Sequence, residues 1–378
     1  MGSNRMREFY AVILSGGSGE RFWPLSTPDR PKQFLSVFGG KSLIRQAVDR
    51  LQGLVPPERI LVVTGAALAK ATRQELPELP RANLILEPCR RDTAPAVATA
   101  CGVVERLGGE RAVAAILTAD QLMRDESSFR RVLADAADVA ARFDDVVTMG
   151  VRPDHPATGF GYIRFGDREQ TRTATEFRRA LAFVEKPDEA TAKRYVQSGR
   201  YAWNAGMFVW RVAVMKRALA AVPELAALEA ELATSRKSVR AILAARYEAL
   251  TKISIDYAVM EQAKNILVSS ADFGWDDVGT WSAADRHLAT DARENVVRGD
   301  VTLLDASDTV AISEGGPQIA VLGVRGLVIV ASGQSVLVAD KSRVQDLKLV
   351  LRRMKAKSAE KAGGVNGTER EERKNERR

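Results

Sequence analysis

The sequence predicts an α/β protein, with a doubly wound, mostly parallel sheet followed by a small β-domain. Apolar, β-branched runs alternate with helix-like segments as far as Gly150, the pattern of parallel strands joined by crossover helices. A glycine-rich loop emerges directly after the first run, and open sheets of this kind bind ligands outside the carboxyl ends of their strands. After about Asn295 the pattern changes to short β-branched runs separated by glycine turns.

The first run, Phe9 to Leu14, is apolar throughout, as a strand buried on both faces must be. Gly16, Gly17 and Gly19 follow. They carry no Cβ, so backbone N–H groups can close on an anion. Arg21 adds a planar cationic fork and Lys32 a point charge, while Pro24, Pro28 and Pro31 stiffen the segment. Alone, Gly-Gly-x-Gly is equally a tight turn. Counting excludes two familiar phosphate motifs. Gly17-Ser18-Gly19 has no third glycine in register for a dinucleotide fingerprint, and Gly40-Lys41-Ser42 would need a glycine where Leu35 stands to complete a Walker A loop.

Ser42 to Leu51 has helical spacing and leads to a strand at Ile60 to Thr64. Asn83 to Glu87 is the next strand, followed by an Ala-rich helix from Ala94 to Leu107. Asp92 or Thr93 caps that helix on the structural reading, with Pro95 in its first turn. Strands at Val113 to Leu117 and Val146 to Gly150 repeat the pattern. Asp120 follows the former closely, at the sheet's carboxyl edge beside the glycine loop, where a lone Asp is a helix cap about half the time. Val212 to Leu250 reads as one or two amphipathic helices interrupted by Pro223 and is assigned scaffolding. The late β-runs are Val301 to Leu304, Ile319 to Leu322, Leu327 to Val330 and Val336 to Ala339.

Composition removes several function classes. The 378 residues are 46% hydrophobic, yet hold no uninterrupted apolar run long enough to cross a bilayer, so no membrane partner is expected. The first residues lack the apolar core of a signal peptide, and Cys89 and Cys101 form no Cys-x-x-Cys, so a cytoplasmic, reducing location is expected. The net charge of +8 suggests nucleic acid until it is located. Arg352 to Arg378 holds ten Lys or Arg against five Glu, five of the eight charges. The body is only mildly basic, so no nucleic-acid partner is expected, and the tail beyond about Lys361 is expected to be disordered.

The run from Gly16 to Leu25, Gly-Gly-x-Gly-x-Arg-x-x-Pro-Leu, with Pro31-Lys32-Gln33-Phe34-Leu35 after it, resembles the signature of sugar-1-phosphate nucleotidyltransferases. The Gln-Phe ending resembles the mannose-1-phosphate guanylyltransferases in particular. Further segments resemble the same family. Glu87 to Pro95 is similar to its Glu-Pro…Arg-Asn-Thr-Ala-Pro loop beside the base, with Asp92 where Asn is commonest. Leu117 to Gln121 is similar to Leu-Pro-Ala-Asp-His, whose Asp binds Mg2+; Thr118 and Gln121 depart from it. Gly274 to Trp281 is similar to Gly-Trp-x-Asp-Val-Gly-x-Trp, with Asp276 at the variable position and Asp277 as a second metal ligand. His155 to Ile163, Phe183 to Pro187, Trp203 to Phe208 and Ile253 to Tyr257 match in order the segments that hold the sugar phosphate.

The resemblance implies a Rossmann-like nucleotidyltransferase domain over residues 1–290, a left-handed β-helix over 291–357 and a charged tail over 358–378. A helix from Val344 to about Lys355 would close the β-helix and, as often in the family, contribute to a homodimer. It implies GTP and mannose 1-phosphate as substrates and Mg2+ on Asp120 and Asp277. Leu14, Gly16, Gly17, Ser18, Gly19, Glu87 and Thr93 would bind the nucleotide, and Gly159, Glu185, Lys186, Asn204 and Asp256 the sugar phosphate. Arg21 and Lys32 would offset charge on the leaving pyrophosphate. His155 and His287 are read as loop residues, not ligands. Another nucleotide and hexose phosphate pair is the alternative. A catalytically silent sensor of nucleotide sugars on the same fold would keep the glycines and could lose Arg21, Lys32 or an Asp; all are present.

Overall fold

A computed structural model of the chain describes residues 8–17 and 19–357. Ser18 and the tail at 358–378, with the disorder expected there, lie outside the described residues. The rest groups into two compact units, each discontinuous in sequence. One takes the described residues of Met1–Gly17 and Gly39–Asp277, the other those of Ser18–Phe38 and Val278–Arg378.

The first unit is built on β1 (Phe9–Ser15), β2 (Ile60–Gly65), β3 (Leu84–Glu87), β4 (Val113–Thr118), β5 (Leu122–Met123), β6 (Val146–Val151), β7 (Gly161–Arg168), β8 (Phe177–Glu185), β9 (Tyr201–Arg211), β10 (Ile266–Ala271) and β11 (Trp275–Asp276). Nine of these form one sheet in the order β3-β2-β1-β4-β9-β6-β10-β8-β7, and β5 pairs with β11. The α/β class holds. The sheet is parallel through β3-β2-β1-β4, where strands and helices alternate in the sequence, and again between β6 and β10. Beyond β4 it is mixed, because β9 returns antiparallel between β4 and β6. β7 and β8 then add antiparallel pairings at the far edge. β7 and β8 keep several residues exposed or half-buried, whereas β1 is almost wholly buried.

Alternate residues of β1, Tyr10 and Val12, share a core with Leu61, Val63, Ala114 and Ile116 under the helix Thr93–Gly108. Pro223 starts a helix instead of interrupting one, since its missing N–H is harmless in a first turn. Val212–Leu219, Pro223–Thr234 and Val239–Arg246 are separate helices. The small residues of Thr93–Gly108 let Pro223–Thr234 approach closely. A Cβ on Gly102 would lie 2.5 Å from the Glu229 carbonyl oxygen.

That interface encloses a carboxyl pair. Lys216 Nζ donates to Glu105 Oε1 at 2.7 Å, and Glu229, 3% exposed, lies beside Glu105. Burial, then hydrogen bonding to Glu105 and its charge, pushes the Glu229 carboxyl up to about 8.

The second unit carries β12 (Val296–Arg298), β13 (Val301–Leu304), β14 (Val310–Glu314), β15 (Ile319–Leu322), β16 (Leu327–Ser332) and β17 (Ser335–Asp340). Val301 pairs with Ile319, Ser307 with Arg325 and Val310 with Val328, all parallel and all eighteen residues apart. Three faces repeating at one offset are the turns of a β-helix. β17 ends the coil by folding back antiparallel on β16. Asn295, 1% exposed, braces its first turn, donating to Asp291 Oδ2 and the Ala306 carbonyl and accepting from Thr309 N. The 3-10 turn Lys341–Asp346 runs into a helix over 347–357. The signature segment belongs here too. Phe22 packs against Phe38 and Trp281, ring centroids 5.7 and 5.1 Å away, and Trp281 Nε1 donates to the Trp23 carbonyl at 3.2 Å. Gly19 sits at φ 58°, and a Cβ there would lie 2.3 Å from Lys32 Cβ, so no other residue fits. Among the described residues no helix is long and apolar enough to cross a membrane.

Glu229 sets a pH dependence. Its carboxyl is raised in the fold, so the stability it contributes is complete below its usual 4.5 and is lost as pH rises through about 8. Glu229→Gln, neutral at every pH, should match wild type near pH 5 and exceed it by about 2 kcal/mol near pH 9. Denaturant unfolding at both pH values measures this; equal losses in the two proteins would contradict it.

Candidate active site

In the first unit the parallel register ends four strands, β1 to β4, level. Ser15 pairs with Thr64, Gly65 with Glu87 and Leu14 with Thr118. A cavity of about 430 Å³ opens beyond those ends. Its apolar wall includes Val63, Val97, Ile116 and Phe208, and its polar wall Gly16, Gly17, Glu87, Thr93, Asp120 and Asp256. Volume and lining are those of a small-molecule site. Ser15 and Thr118 also line it, and their hydroxyl oxygens are buried with no hydrogen-bond partner among the described residues.

Glu87 ends β3. Its Oε1 accepts the hydroxyl of Tyr247, and its Oε2 lies 4.0 Å from where a Cβ on Gly16 would stand. Burial raises the Glu87 carboxyl, while the Tyr247 hydrogen bond and Arg90 work in the other direction. Asp92 caps the next helix at φ 68° and ψ −167°, a strained region that is essentially glycine's own, and accepts from Thr93 N at 2.9 Å. Thr93 Oγ1 in turn accepts from Ile255 N at 2.9 Å, and Ala94 N donates to the Ile253 carbonyl. The helix start therefore clamps Ile253 to Ile255 and fixes the approach of Asp256. Asp92 and Thr93 thus keep their structural role while lining the cavity.

Asp120 lies two residues beyond β4, where Ala119 N donates to the Leu14 carbonyl at 3.1 Å. Gln121 holds the segment. Its Nε2 donates to the Ala205 carbonyl at 3.0 Å, its Oε1 accepts from Trp275 Nε1 at 2.8 Å, and its carbonyl accepts from buried Arg50 at 3.0 Å. Next to it, Asp276 of β11 pairs with Leu122 of β5, which brings the residue after Asp276 alongside the segment that carries Asp120. Among the described residues no group of three or more His, Cys, Asp or Glu could hold a metal ion. Two carboxylates of hard oxygen suit a cation that takes its other ligands from substrate phosphates and water.

The sugar segments converge on Asp256. Asn204 Nδ2 donates to Asp256 Oδ1 at 3.0 Å, and Asn204 Oδ1 accepts from Gly206 N at 3.0 Å. β9 is bulged here, advancing from Asn204 to Phe208 while β6 advances from Gly150 back to Thr148. Gly161 has no Cβ to block Glu185, whose Oε2 would be 2.6 Å from one. Burial, then the charges of Glu185 and Asp92, raise the Asp256 carboxyl against its bond from Asn204. Lys186 pairs with Glu185 on an exposed rim. Gly159 has open space where a Cβ would be, so packing does not demand it. His155 stacks edge-on against Trp203, 4.8 Å between centroids, and Phe160 against Trp275 at 5.2 Å.

The cavity therefore gathers Leu14, Gly16, Gly17, Glu87, Thr93, Asp120 and Asp256 from the sequence reading, and hydrogen bonding adds Asn204. Gly19, Arg21 and Lys32 belong to the second unit. Arg90, Arg91, Lys252, Gly206 and Phe208 line the cavity without having been singled out as site residues. Four of them sit inside quoted motifs, and that adjacency was the available signal. The fifth, Lys252, immediately precedes Ile253.

The chain is similar to known proteins over most of its length. The Nucleotidyl transferase family matches residues 10–292, and the MannoseP isomerase/GMP-like beta-helix domain matches 299–354. The chain is 36% identical over 364 residues to the mannose-1-phosphate guanylyltransferase of Escherichia coli, covering 92% of this chain and 74% of that protein. It is 36% identical over 353 residues to the alginate biosynthesis protein AlgA of Pseudomonas aeruginosa, covering 91% and 72%. A crystal structure described as mannose-1-phosphate geranyltransferase from Thermus thermophilus is 37% identical with a TM-score of 0.82, covering 92% of this chain and 99% of that one.

Gln121 departs from the histidine of the related motif, yet it bridges strands that are far apart in sequence. Gln121→Ala leaves a buried indole N–H and a carbonyl unpaired and should cost about 3 kcal/mol in denaturant unfolding. A loss below about 0.5 kcal/mol would show that the bridge is dispensable.

Proposed function

Because the chain belongs to the nucleotidyl transferase family and ends in a MannoseP isomerase/GMP-like β-helix domain, we propose that it is a mannose-1-phosphate guanylyltransferase, making GDP-mannose and pyrophosphate from GTP and mannose 1-phosphate. The observation that carries this reading is the cavity itself. Backbone at Gly16 and Gly17, an acceptor at Glu87 and the carboxylate of Asp120 line one space with Asp256, whose neighbours Asn204 and Glu185 are suited to sugar hydroxyls.

A phosphate monoester is largely ionised at neutral pH, so the sugar phosphate can attack the α-phosphorus of GTP in line without a general base. The new bond forms from sugar-phosphate oxygen to α-phosphorus as the bond to the bridging α,β oxygen breaks and pyrophosphate departs. The work left for the protein is positioning and charge neutralisation. In this reading Gly16, Gly17, Ser18 and Gly19 offer N–H groups to the triphosphate, and Leu14, Glu87 and Thr93 receive the base. Glu185, Asn204 and Asp256 hold the mannose hydroxyls, Gly159 lets the sugar approach backbone, and Lys186 meets the sugar's phosphate. Arg21 and Lys32 offset charge gathering on pyrophosphate. Mg2+ held by Asp120 and Asp277 would neutralise phosphate charge during the transfer.

The same reading locates the enzyme in the cytoplasm, the compartment of its nucleotide, where free thiols at Cys89 and Cys101 are at home. The exposed Leu349 and Val350 of the C-terminal helix support a homodimer.

Pyrophosphate release measured across a panel of nucleoside triphosphates and hexose 1-phosphates tests the substrate pair. The highest kcat/KM should fall to GTP with mannose 1-phosphate, and preference for another pair would replace this reading. Asp120→Asn and Asp277→Asn should each lower turnover by orders of magnitude with unchanged melting curves, while Asp276→Ser matters much less. Near wild-type rates at saturating Mg2+ would remove the metal assignment. Lys32→Ala should depress kcat and kcat/KM for GTP together, and Lys186→Ala should chiefly raise the KM for mannose 1-phosphate. The reverse pattern would mean that the two substrates are exchanged along the chain.

A further inference from the structure

Glu87 is a partly buried carboxyl on the cavity wall, and its partner comes from the segment Val212 to Leu250, assigned only to scaffolding by its sequence. Tyr247 is fully buried at the start of the 3-10 turn Tyr247–Ala249, and its hydroxyl donates to Glu87 Oε1. Oε2 is left toward the glycine loop, 4.0 Å from the Cβ position of Gly16. Two groups favour the charged form of Glu87 against its burial, the Tyr247 hydroxyl and Arg90. Tyr247 itself is faced by Glu87, Cys89 and Arg91. Burial and the charge of Glu87 push its phenol up, so it stays a donor.

We infer that Tyr247 is a positioning residue for base selection: it holds Glu87 by one oxygen and leaves the other to the cavity as an acceptor, which matches the N1–H and N2–H2 donors of guanine and opposes the N1 lone pair of adenine. This rests on the guanylyltransferase reading and deepens it. A site that offers a buried acceptor rejects a base that brings an acceptor to it, because both are then left unpaired.

The test is steady-state kinetics of the full chain with GTP and ATP, at fixed mannose 1-phosphate, for wild type, Tyr247→Phe, Glu87→Gln and the double variant. Tyr247→Phe should lower the GTP over ATP ratio of kcat/KM about tenfold, mainly through the KM for GTP. It should also move the acid limb of the GTP profile to higher pH, since a bond that favours the carboxylate is gone. In Glu87→Gln the amide oxygen stays on Tyr247 and the NH2 turns to the cavity, so GTP use falls while ATP use rises. In the double variant the amide is released to turn, and GTP use should recover about tenfold over Glu87→Gln. An unchanged ratio and acid limb in Tyr247→Phe, or a double variant no better than Glu87→Gln, overturns the inference. If phenylalanine is not tolerated at Tyr247, Glu87→Gln alone decides, and equal losses with both nucleotides overturn it. Wild type that releases no pyrophosphate from GTP would sink the guanylyltransferase reading, whereas GTP-preferring wild type with unmoved variants sinks only the role of Tyr247.

Discussion

Parallel pairing of β1 with β2 and β4 is the constraint on which the cavity depends. Ser15 stands opposite Thr64, and Leu14 opposite Thr118, so loops that leave these strands start from one level. Gly16, Gly17 and Asp120 reach the same space for that reason, and the parallel pairing of β3 with β2, Glu87 opposite Gly65, brings Glu87 there as well. A one-residue slip of any strand would turn its buried set to the other face, so the hydrophobic pattern that folds the sheet also aligns the site.

Around that frame, buried polar side chains connect segments that are remote in sequence. Gln121 takes the indole N–H of Trp275 and gives its own to the Ala205 carbonyl, and Tyr247 reaches back to Glu87. Thr93 ties the start of one helix to Ile255. Each bond satisfies a group that burial would otherwise leave unpaired, which makes these arrangements specific as well as stable. Strain accompanies them, with Asp92 and Lys186 at positive φ beside the residues proposed to bind the substrates.

The second unit follows a different rule. Its coil repeats every eighteen residues on three faces, yet its runs look unevenly spaced because the middle face is only the bridge from Ser307 to Arg325. The signature segment packs its Phe22 there, against Phe38 and Trp281. Arg21 and Lys32 are therefore carried by a segment whose apolar residues serve that unit's core, and the same short stretch answers to packing and to charge.

Local chemistry was legible in the chain itself: the apolar β1, the glycines after it, the Ala-rich helix from Thr93, and Asp120 beyond β4. These depend on neighbours a few residues away, and periodicity records them. The mixed half of the sheet, the bulge at Asn204 and the hydrogen bonds of Glu87 and Gln121 were decided only by the tertiary structure. β9 lies between β4 and β6 because of pairings made across the whole unit, and no local pattern encodes where a strand is inserted. Tyr247 lies in a stretch that its sequence marks only as helical scaffolding, and becomes the partner of Glu87 only when folding buries its ring and leaves its hydroxyl the Glu87 carboxylate to donate to.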